Sequence, residues 1–178
     1  PRFPRGIAVV SSAQAAAWRD VTAALARRAA HVPITLYPTP VQGDGAPAQI
    51  AAAIRRAGRS AARDGTDVLL LVRGGGSLED LAAFNDEAVA RAIRACPLPV
   101  VVGVGHETDV SIADFAADLR APTPTAAAEK AVPVRTELLA ALLDDEKRLH
   151  ITLMRRLQQH RTHLTGLGRG LGDPKRLL

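Results

Sequence analysis

Two short segments of this chain combine glycines with ionisable side chains. One begins at Arg73 and continues through residues 74–77, and the other spans residues 106–109. Each follows a short run of valines and leucines that is typical of a buried strand, and open α/β sheets build their sites at the carboxyl ends of such strands. The sequence therefore predicts that the chemistry of this protein lies at these two places.

The residues Gly74, Gly75, Gly76 and Ser77 form a candidate phosphate-binding loop. Glycine backbone can turn through positive φ and direct successive N–H groups at an anion, and the N-terminus of a following helix adds positive potential. The loop lacks the Gly-Lys-Ser/Thr ending of a Walker A loop, and it does not fit the Gly-x-Gly-x-x-Gly pattern of dinucleotide sites. A plain strand-to-helix connection is the alternative interpretation.

Arg73 stands directly before the glycine triplet. Its guanidinium can donate a fork of hydrogen bonds to phosphate oxygens and stabilise the charge of a five-coordinate transition state. The alternative is a structural ion pair with a nearby acid such as Asp80. The adjoining glycines favour the role at a phosphate.

His106 and Asp109 are the candidates for proton transfer. An imidazole titrates near neutral pH and can act as general base or acid, while a carboxylate three residues on can orient it or bind a metal-borne water. The order of residues is not His-Glu-x-x-His, which excludes a zinc-protease site. The flanking glycines and the strand end favour a functional His106 over a structural or solvated one.

Three further polar residues follow strand ends, and one cysteine is present. Asp20 is predicted about two turns into the first helix, and Gln42 and Asp44 lie on a tight turn after the second strand. Taken singly, each is interpreted as a turn-forming residue or a surface acid. The single Cys96 cannot form an internal disulfide and is interpreted as structural.

Strand-like and helix-like runs alternate along the chain and must position these residues. Strands are predicted at 6–10, 32–37, 68–72 and 100–104, and helices at 13–28, 47–63, 78–95 and 112–119. This order predicts an α/β fold with an open, mainly parallel sheet and helices on both faces. The strands are continuous in valine and leucine, which predicts burial on both sides of the sheet.

Helix starts are marked by capping sequences. Residues 77–80 and 111–114 resemble capping boxes, with Asp in the place of Glu or Gln, so a helix is predicted to begin at each. Pro124 is predicted in the first turn of a further helix. Each predicted site loop therefore joins the end of a strand to the start of a helix.

The chain changes character after Pro133. Leucines recur at spacings of mostly three, four or seven, without Pro or Gly from 134 to about 164, which predicts a helix about 45 Å long. The glycines from Gly166 onward are expected to end it. The start of a coiled coil and an ordinary helix covering the sheet both fit the pattern. The predicted division is an α/β catalytic domain over 1–133 and a long helix, a truncated coiled-coil arm, over 134–178.

Composition and charge limit the function classes. An apolar share of 47% with 3% aromatic residues predicts a core of Ala, Val, Leu and Ile. The net charge of +5 is compatible with an acidic polymer such as DNA as partner, and a solvated basic helix face is the alternative. Neither a membrane span nor a leader is recognised, which predicts a soluble, cytoplasmic protein without membrane contact. The first residue is not Met, so a piece of a longer protein is expected.

Five motifs occur in the order of a known family. They are Arg-Gly-Gly-Gly-Ser-Leu-Glu-Asp-Leu from Arg73, Phe-Asn-Asp-Glu from Phe84, Gly-Val-Gly-His-Glu-Thr-Asp from Gly103, Ile-Ala-Asp-Phe from Ile112, and Leu-Arg-Ala-Pro-Thr-Pro-Thr-Ala-Ala-Ala-Glu from Leu119. Together they resemble the catalytic region of the exonuclease VII large subunit, over roughly residues 6–130.

The resemblance implies a nuclease that cuts single-stranded DNA processively from either end into short oligonucleotides. By motif position its functional residues fall on Arg73, His106 and Asp109, and also on Asp20. The family has Gly in the first strand-to-helix loop where this chain has Ala15, which puts the role of Asp20 in doubt. In the family an oligonucleotide-binding barrel precedes this region and a long coiled coil that binds small helical subunits follows it. The full-length form is therefore expected to be an oligomer containing such a subunit.

The mechanistic hypothesis is in-line hydrolysis of a phosphodiester held on the glycine loop and clamped by Arg73. His106 activates water or protonates the leaving oxygen, and Asp109 holds its tautomer. One His cannot serve both ends of the displacement, so a further acid or a metal is needed, and Asp20 is the candidate. Asp20 and Asp109 are possible Mg²⁺ ligands, although the resemblance does not make the ion obligatory. The alternative function is a non-catalytic phosphate- or nucleotide-binding module on the same fold, in which His106 is dispensable.

Overall fold

The structure is a computed structural model that describes residues 1–74, 78–105 and 110–170, without the side chains of residues 78–80. The strands are β1 Ile7–Ser11, β2 Ile34–Pro38, β3 Val68–Val72, β4 Val100–Gly103 and β5 Leu119–Arg120. The α-helices are α1 Ala16–Ala29, α2 Ala46–Asp64, α3 Glu87–Arg94, α4 Ile112–Ala116, α5 Pro124–Ala131 and α6 Arg135–Gly170, and a 3-10 helix spans Leu78–Asn85.

The strands of the described chain form one parallel sheet in the order β2-β1-β3-β4-β5, which confirms the predicted α/β class. The chain passes from β1 outward to β2 and then returns across β1 to β3. The connections after β1 and β3 therefore run in opposite directions. In such sheets this switch point opens a crevice outside the carboxyl ends of the strands, where ligands bind.

Two hydrophobic layers cover the sheet, one on each face. Ile7 and Val9 of β1 belong to the layer that includes buried residues of α1 and α5. Ala8 and Val10 belong to the layer built with α2, α3 and α4. Every residue of β1, β3 and β4 is buried, as the continuous apolar runs predicted.

Two predicted helices differ from those observed. The helix predicted over 78–95 is divided into the 3-10 helix and α3, because Asp86 between them caps α3 by accepting a hydrogen bond from Ala88 N at 2.7 Å. The helix predicted over 112–119 ends at Ala116, and Leu119–Arg120 pairs with β4 as an edge strand instead. The first difference thus comes from a local cap, and the second from pairing with a neighbouring strand.

The capping predictions are confirmed where the structure describes them. Ser111 and Asp114 form a complete capping box at the start of α4. Pro124 lies in the first turn of α5, and the Thr123 side chain accepts a hydrogen bond from Ala126 N at 3.0 Å. The capping box predicted at residues 77–80 lies outside the described residues and side chains.

The predicted long helix is present as α6, but it does not end at Gly166. It continues through Gly166 and Gly168 to Gly170, a length of about 54 Å at 1.5 Å per residue. Glycine lowers helix stability by about 1 kcal/mol relative to alanine, which weakens a helix without ending it. The chain divides into a unit Pro1–Arg135 and a unit Thr136–Leu178, and no described residue of α6 is buried. Within the described chain no helix has the length and hydropathy that crossing a membrane requires.

Gly103, the last residue of β4, permits α5 to pack closely against the sheet. A Cβ atom built on it would lie 2.8 Å from the Ala127 Cβ and 2.9 Å from the Thr123 carbonyl oxygen. Neither atom belongs to a flexible side chain. The strand end can therefore accept α5 only because residue 103 has no side chain.

Replacing Gly103 with Ala should lower the free energy of unfolding by about 1–3 kcal/mol, the usual effect of overpacking a rigid contact. Urea denaturation of this chain measures the change. Gly74→Ala is the matched control at the end of the neighbouring strand, since a Cβ there meets its nearest atoms at 3.4–3.8 Å. Equal losses for the two variants would show that the α5 contact is not the cause.

Candidate active site

The two segments predicted to carry the chemistry leave the sheet at neighbouring points. Val72 at the end of β3 pairs with Gly103 at the end of β4, and Arg73 N donates a hydrogen bond to Gly103 O at 3.3 Å. Adjacent strands lie about 4.8 Å apart. The glycine loop after β3 and residues 106–109 after β4 therefore start side by side at the carboxyl edge.

Arg73 is the first residue after β3 and is only 4% exposed. A guanidinium that is largely removed from water requires hydrogen-bond or charge partners, because desolvating an unpaired charge is costly. Arg73 directly precedes the glycine loop in the chain, and its contact with a phosphate stays a prediction. The alternative ion pair with Asp80 stays a prediction, because the Asp80 side chain lies outside the described part.

Gly74 brings the glycine loop against the start of α1. A Cβ at Gly74 would lie 3.4 Å from Ala17 N and 3.8 Å from the methyl carbon of Ala16. Its φ is not positive, so any positive-φ turn in the predicted phosphate loop does not occur at this residue. The close approach of the loop to α1, rather than backbone freedom, is what the structure shows for Gly74.

Five predicted site residues lie outside the described residues, namely Gly75, Gly76, Ser77, His106 and Asp109. Their roles stay predictions. The chain on both sides of each segment is described, so the points from which they start and to which they return are known.

Asp20 is exposed and lies about one turn, rather than two turns, into α1. It is the fourth residue after Ala16, and side chains four apart on a helix lie on the same face with Cβ atoms about 5–6 Å apart. Ala16 and Ala17 both approach Gly74, and Ala17 N would be the atom nearest to a Cβ there, at 3.4 Å. Asp20 therefore lies about one helical turn after the residues of α1 that the start of the glycine loop approaches.

Ala15 is the N-cap of α1, with φ −70° and ψ 149°. This extended conformation is open to any L-residue, so Ala in place of the family's Gly does not strain the loop. The departure from the family pattern therefore leaves the path of the chain into α1, and with it the position of Asp20, without a conformational obstacle.

The chain that follows residues 106–109 is firmly fixed at the start of α4. Ser111 N and Ser111 Oγ both donate hydrogen bonds to Asp114 Oδ2 at 2.8 Å, and Arg120 Nε lies 3.7 Å from Asp114 Oδ1. Ile112 N donates to Asn85 Oδ1 at 2.8 Å. Asn85 ends the 3-10 helix that follows the glycine loop. One hydrogen bond thus joins the downstream sides of both predicted site segments.

Sequence reasoning missed Asn85 and Arg120 as positioning residues. Asn85 lies 27 residues from its partner, and no local pattern connects the two. Arg120 reaches Asp114 from β5, a strand that was predicted as the end of a helix and its following turn. Asp114 itself was found, because the capping box is a local signal.

No group of three or more His, Cys, Asp and Glu side chains within residues 1–74, 78–105 and 110–170 is arranged to hold a metal ion. His106 and Asp109 lie outside these residues. A cleft of about 340 Å³ lies at the carboxyl ends of β1 and β2, lined by residues that include Ser12, Gln14 and Thr39. The described edge of the sheet thus has open space beside α1.

Comparison with known proteins gives one consistent result. The family model described as "Exonuclease VII, large subunit" matches residues 1–178. Three similar proteins are all named exodeoxyribonuclease 7 large subunit. The protein of Thiobacillus denitrificans is 62% identical over 178 residues, that of Rhodospirillum centenum 54% over 184, and that of Bordetella avium 60% over 156.

The alignments cover 100%, 100% and 88% of this chain but only 39%, 34% and 34% of the respective relatives. The chain thus spans between about a third and two fifths of the length of the relatives it matches. Because the family match extends over the whole chain and agrees with the motifs around Arg73 and Gly103, the chain belongs to the exonuclease VII large subunit family.

Proposed function

We propose that this chain is the catalytic region of an exodeoxyribonuclease that hydrolyses phosphodiester bonds of single-stranded DNA to short oligonucleotides. The observation that carries the proposal is the pairing of the ends of β3 and β4, with Arg73 N bonded to Gly103 O at 3.3 Å. Because of this pairing, the segment that begins with Arg73 and the segment that contains His106 and Asp109 follow neighbouring strand ends at one edge of the sheet. The kinship with large subunits named as exodeoxyribonucleases supports the reaction type.

The proposed chemistry is attack of water on phosphorus with loss of the neighbouring nucleotide oxygen. Arg73 and the N–H groups of the glycine loop hold the nonbridging oxygens, whose negative charge grows in the transition state. His106 accepts the proton of the attacking water, and Asp109 fixes the imidazole in the required tautomer. The leaving oxygen takes a proton from a second acid, the role proposed for Asp20.

Asp20 and Asp109 are also the carboxylates that would hold a Mg²⁺ ion, since this ion prefers oxygen ligands. When bound, the ion would supply positive charge to the phosphoryl oxygens. Asp20 is exposed on the face of α1 beside Gly74, which leaves it accessible for either role. Assays of DNA cleavage with Mg²⁺ and with a chelator distinguish a general-acid role of Asp20 from a role as metal ligand.

His106→Ala in the full-length large subunit, assembled with its small subunit, should lower kcat on single-stranded DNA by about 100- to 10,000-fold, the usual contribution of a general base. The Kd for the same DNA should stay within about twofold, because Arg73 and the glycine loop still bind phosphate. Gel assays of product formation and fluorescence anisotropy measure the two quantities. His31→Ala, at an exposed position following α1, is the control. Unchanged turnover would remove His106 from the mechanism, whereas a wild-type complex that binds a mononucleotide tightly and does not cut DNA would identify a non-catalytic binding module.

Asn85→Ala should lower kcat between about 10- and 100-fold with little change in KM, because α4 loses the side chain that ties it to the 3-10 helix and small displacements of catalytic groups are costly. Asn85→Asp keeps an oxygen acceptor and should restore most of the activity. Steady-state kinetics on single-stranded DNA test both variants. An Asn85→Ala enzyme with wild-type kcat would show that this hydrogen bond does not position the site.

We further propose that α6 begins a coiled-coil arm that binds the small helical subunit, in an oligomeric full-length enzyme of the cytoplasm. Eight leucines along α6 are between 43% and 70% exposed, among them Leu149, Leu153 and Leu157 at four-residue spacing. Exposed leucines in a row are unfavourable in water, and a second helix would cover them.

Leu149→Lys combined with Leu153→Lys in the full-length large subunit should abolish its co-elution with the small subunit in size-exclusion chromatography, because two charges would enter an apolar contact. The helix itself should persist, since both positions are exposed. Gln159→Lys, about half a turn around the helix from Leu157, is the control. Normal co-elution of the double variant would place the small-subunit contact elsewhere.

A further inference from the structure

Phe115 is the most exposed large apolar side chain that the structure describes, with 82% of its surface accessible. Aromatic residues are only 3% of the chain, and two of them, Phe84 and Tyr37, are in the core. Val110 and Ile112, close to Phe115 along the chain, are also about half exposed. Scattered single apolar residues are ordinary on a protein surface, whereas a ring with apolar neighbours marks a contact surface.

The ring is carried by a rigid element. The capping box fixes the start of α4, and Arg94 Nη1 lies 3.5 Å from the carbonyl oxygen of Ala116, at its end. Ala113 and Ala116 are buried beneath the helix. A contact made by Phe115 therefore requires little ordering of the backbone, which favours its use as a fixed platform.

The position of the ring relates it to the proposed reaction. Residues 106–109 end two residues before Ser111, and Phe115 lies about 6 Å further along the axis of α4 at 1.5 Å per residue. Successive phosphates of a stacked DNA strand are about 3.4 Å apart along the strand. A strand whose phosphate is attacked close to Ser111, where α4 starts, would thus bring a base one or two nucleotides away within reach of Phe115.

The charges around the ring suit a nucleic-acid strand. Asp114 is ion-paired with Arg120 at 3.7 Å, and Asp118 with Arg94 at 3.7 Å. The carboxylates of Asp114 and Asp118 are thus each balanced by a guanidinium. Arg94 remains 67% exposed in its side chain and is available to a backbone phosphate.

We propose that Phe115 stacks on a nucleobase of the single-stranded substrate close to the scissile phosphate, an inference that rests on the proposed nuclease function. Stacking on an aromatic ring tolerates every base, because each has a π-face. It also requires a base that is free of its partner strand, since a base inside a duplex is already stacked on both sides. Phe115 would therefore contribute to the selection of single-stranded over double-stranded DNA.

The test is a binding cycle in the full-length complex inactivated by His106→Ala. Phe115→Ala should raise the Kd for a fluorescent oligo(dT) by about 5- to 150-fold, the usual effect of removing one base–aromatic stack. Phe115→Trp should keep the Kd within about twofold. For a strand of equal length built of abasic deoxyribose phosphates, Phe115→Ala should leave the Kd unchanged, because charge is retained and no base is present to stack.

Phe3→Ala is the matched control, since Phe3 is another exposed Phe, 56% accessible, and precedes the amino end of β1. If Phe115→Ala weakened the binding of oligo(dT) and of the abasic strand equally, the proposal would be overturned. Loss of complex assembly in size-exclusion chromatography would also overturn it, because it would identify Phe115 as a protein contact. A His31→Ala or wild-type complex that neither binds nor cuts single-stranded DNA would refute the nuclease function itself. Normal cutting together with a Phe115→Ala Kd equal to that of the parent would refute the stacking role alone.

Discussion

The parallel pairing of β3 with β4 is the constraint on which the rest of the site depends. Both strands are entirely buried, and their apolar side chains fix the register that sets Val72 beside Gly103. A slip of one residue would turn every side chain to the opposite face of the sheet, which two packed layers forbid. The core thereby determines where Arg73 and the chain leading to residues 106–109 leave the sheet.

The position of the strand ends also determines how closely a helix packs against the sheet, because a glycine ends β4. Gly103 lets α5 approach the end of β4, where a Cβ would lie 2.8 Å from the Ala127 Cβ. Helices α1 and α5 pack in the same hydrophobic layer. The missing side chain at Gly103 thus sets the distance between the end of β4 and α5, the neighbour of the helix that carries Asp20.

Much of the fold could be predicted from sequence, because its signals are local. β3 was predicted at its observed bounds, since five consecutive apolar residues between polar ones define a buried parallel strand. The capping box at Ser111 was predicted correctly for the same reason. The strand Leu119–Arg120 and the bond from Ile112 N to Asn85 were missed, since each depends on a neighbour distant in sequence. The break at Asp86 was missed although its signal, the cap to Ala88 N, is local. Arg73 and Asp20 could be proposed from motifs, but their placement around Gly74 required coordinates.

The arrangement of α4 indicates how a short helix would serve the proposed reaction. Its N-terminus is held by Ser111, Asp114 and Asn85, so the chain resumes at a fixed point after residues 106–109. Its exposed face carries Phe115, so a DNA strand stacked on that ring, as we propose, would be positioned relative to the same fixed point. Substrate and proposed catalytic segment would then share one rigid reference, and binding energy from a base would help to align a phosphate. Such alignment is a large part of what an enzyme contributes to a reaction whose chemistry is otherwise carried by water and a few charges.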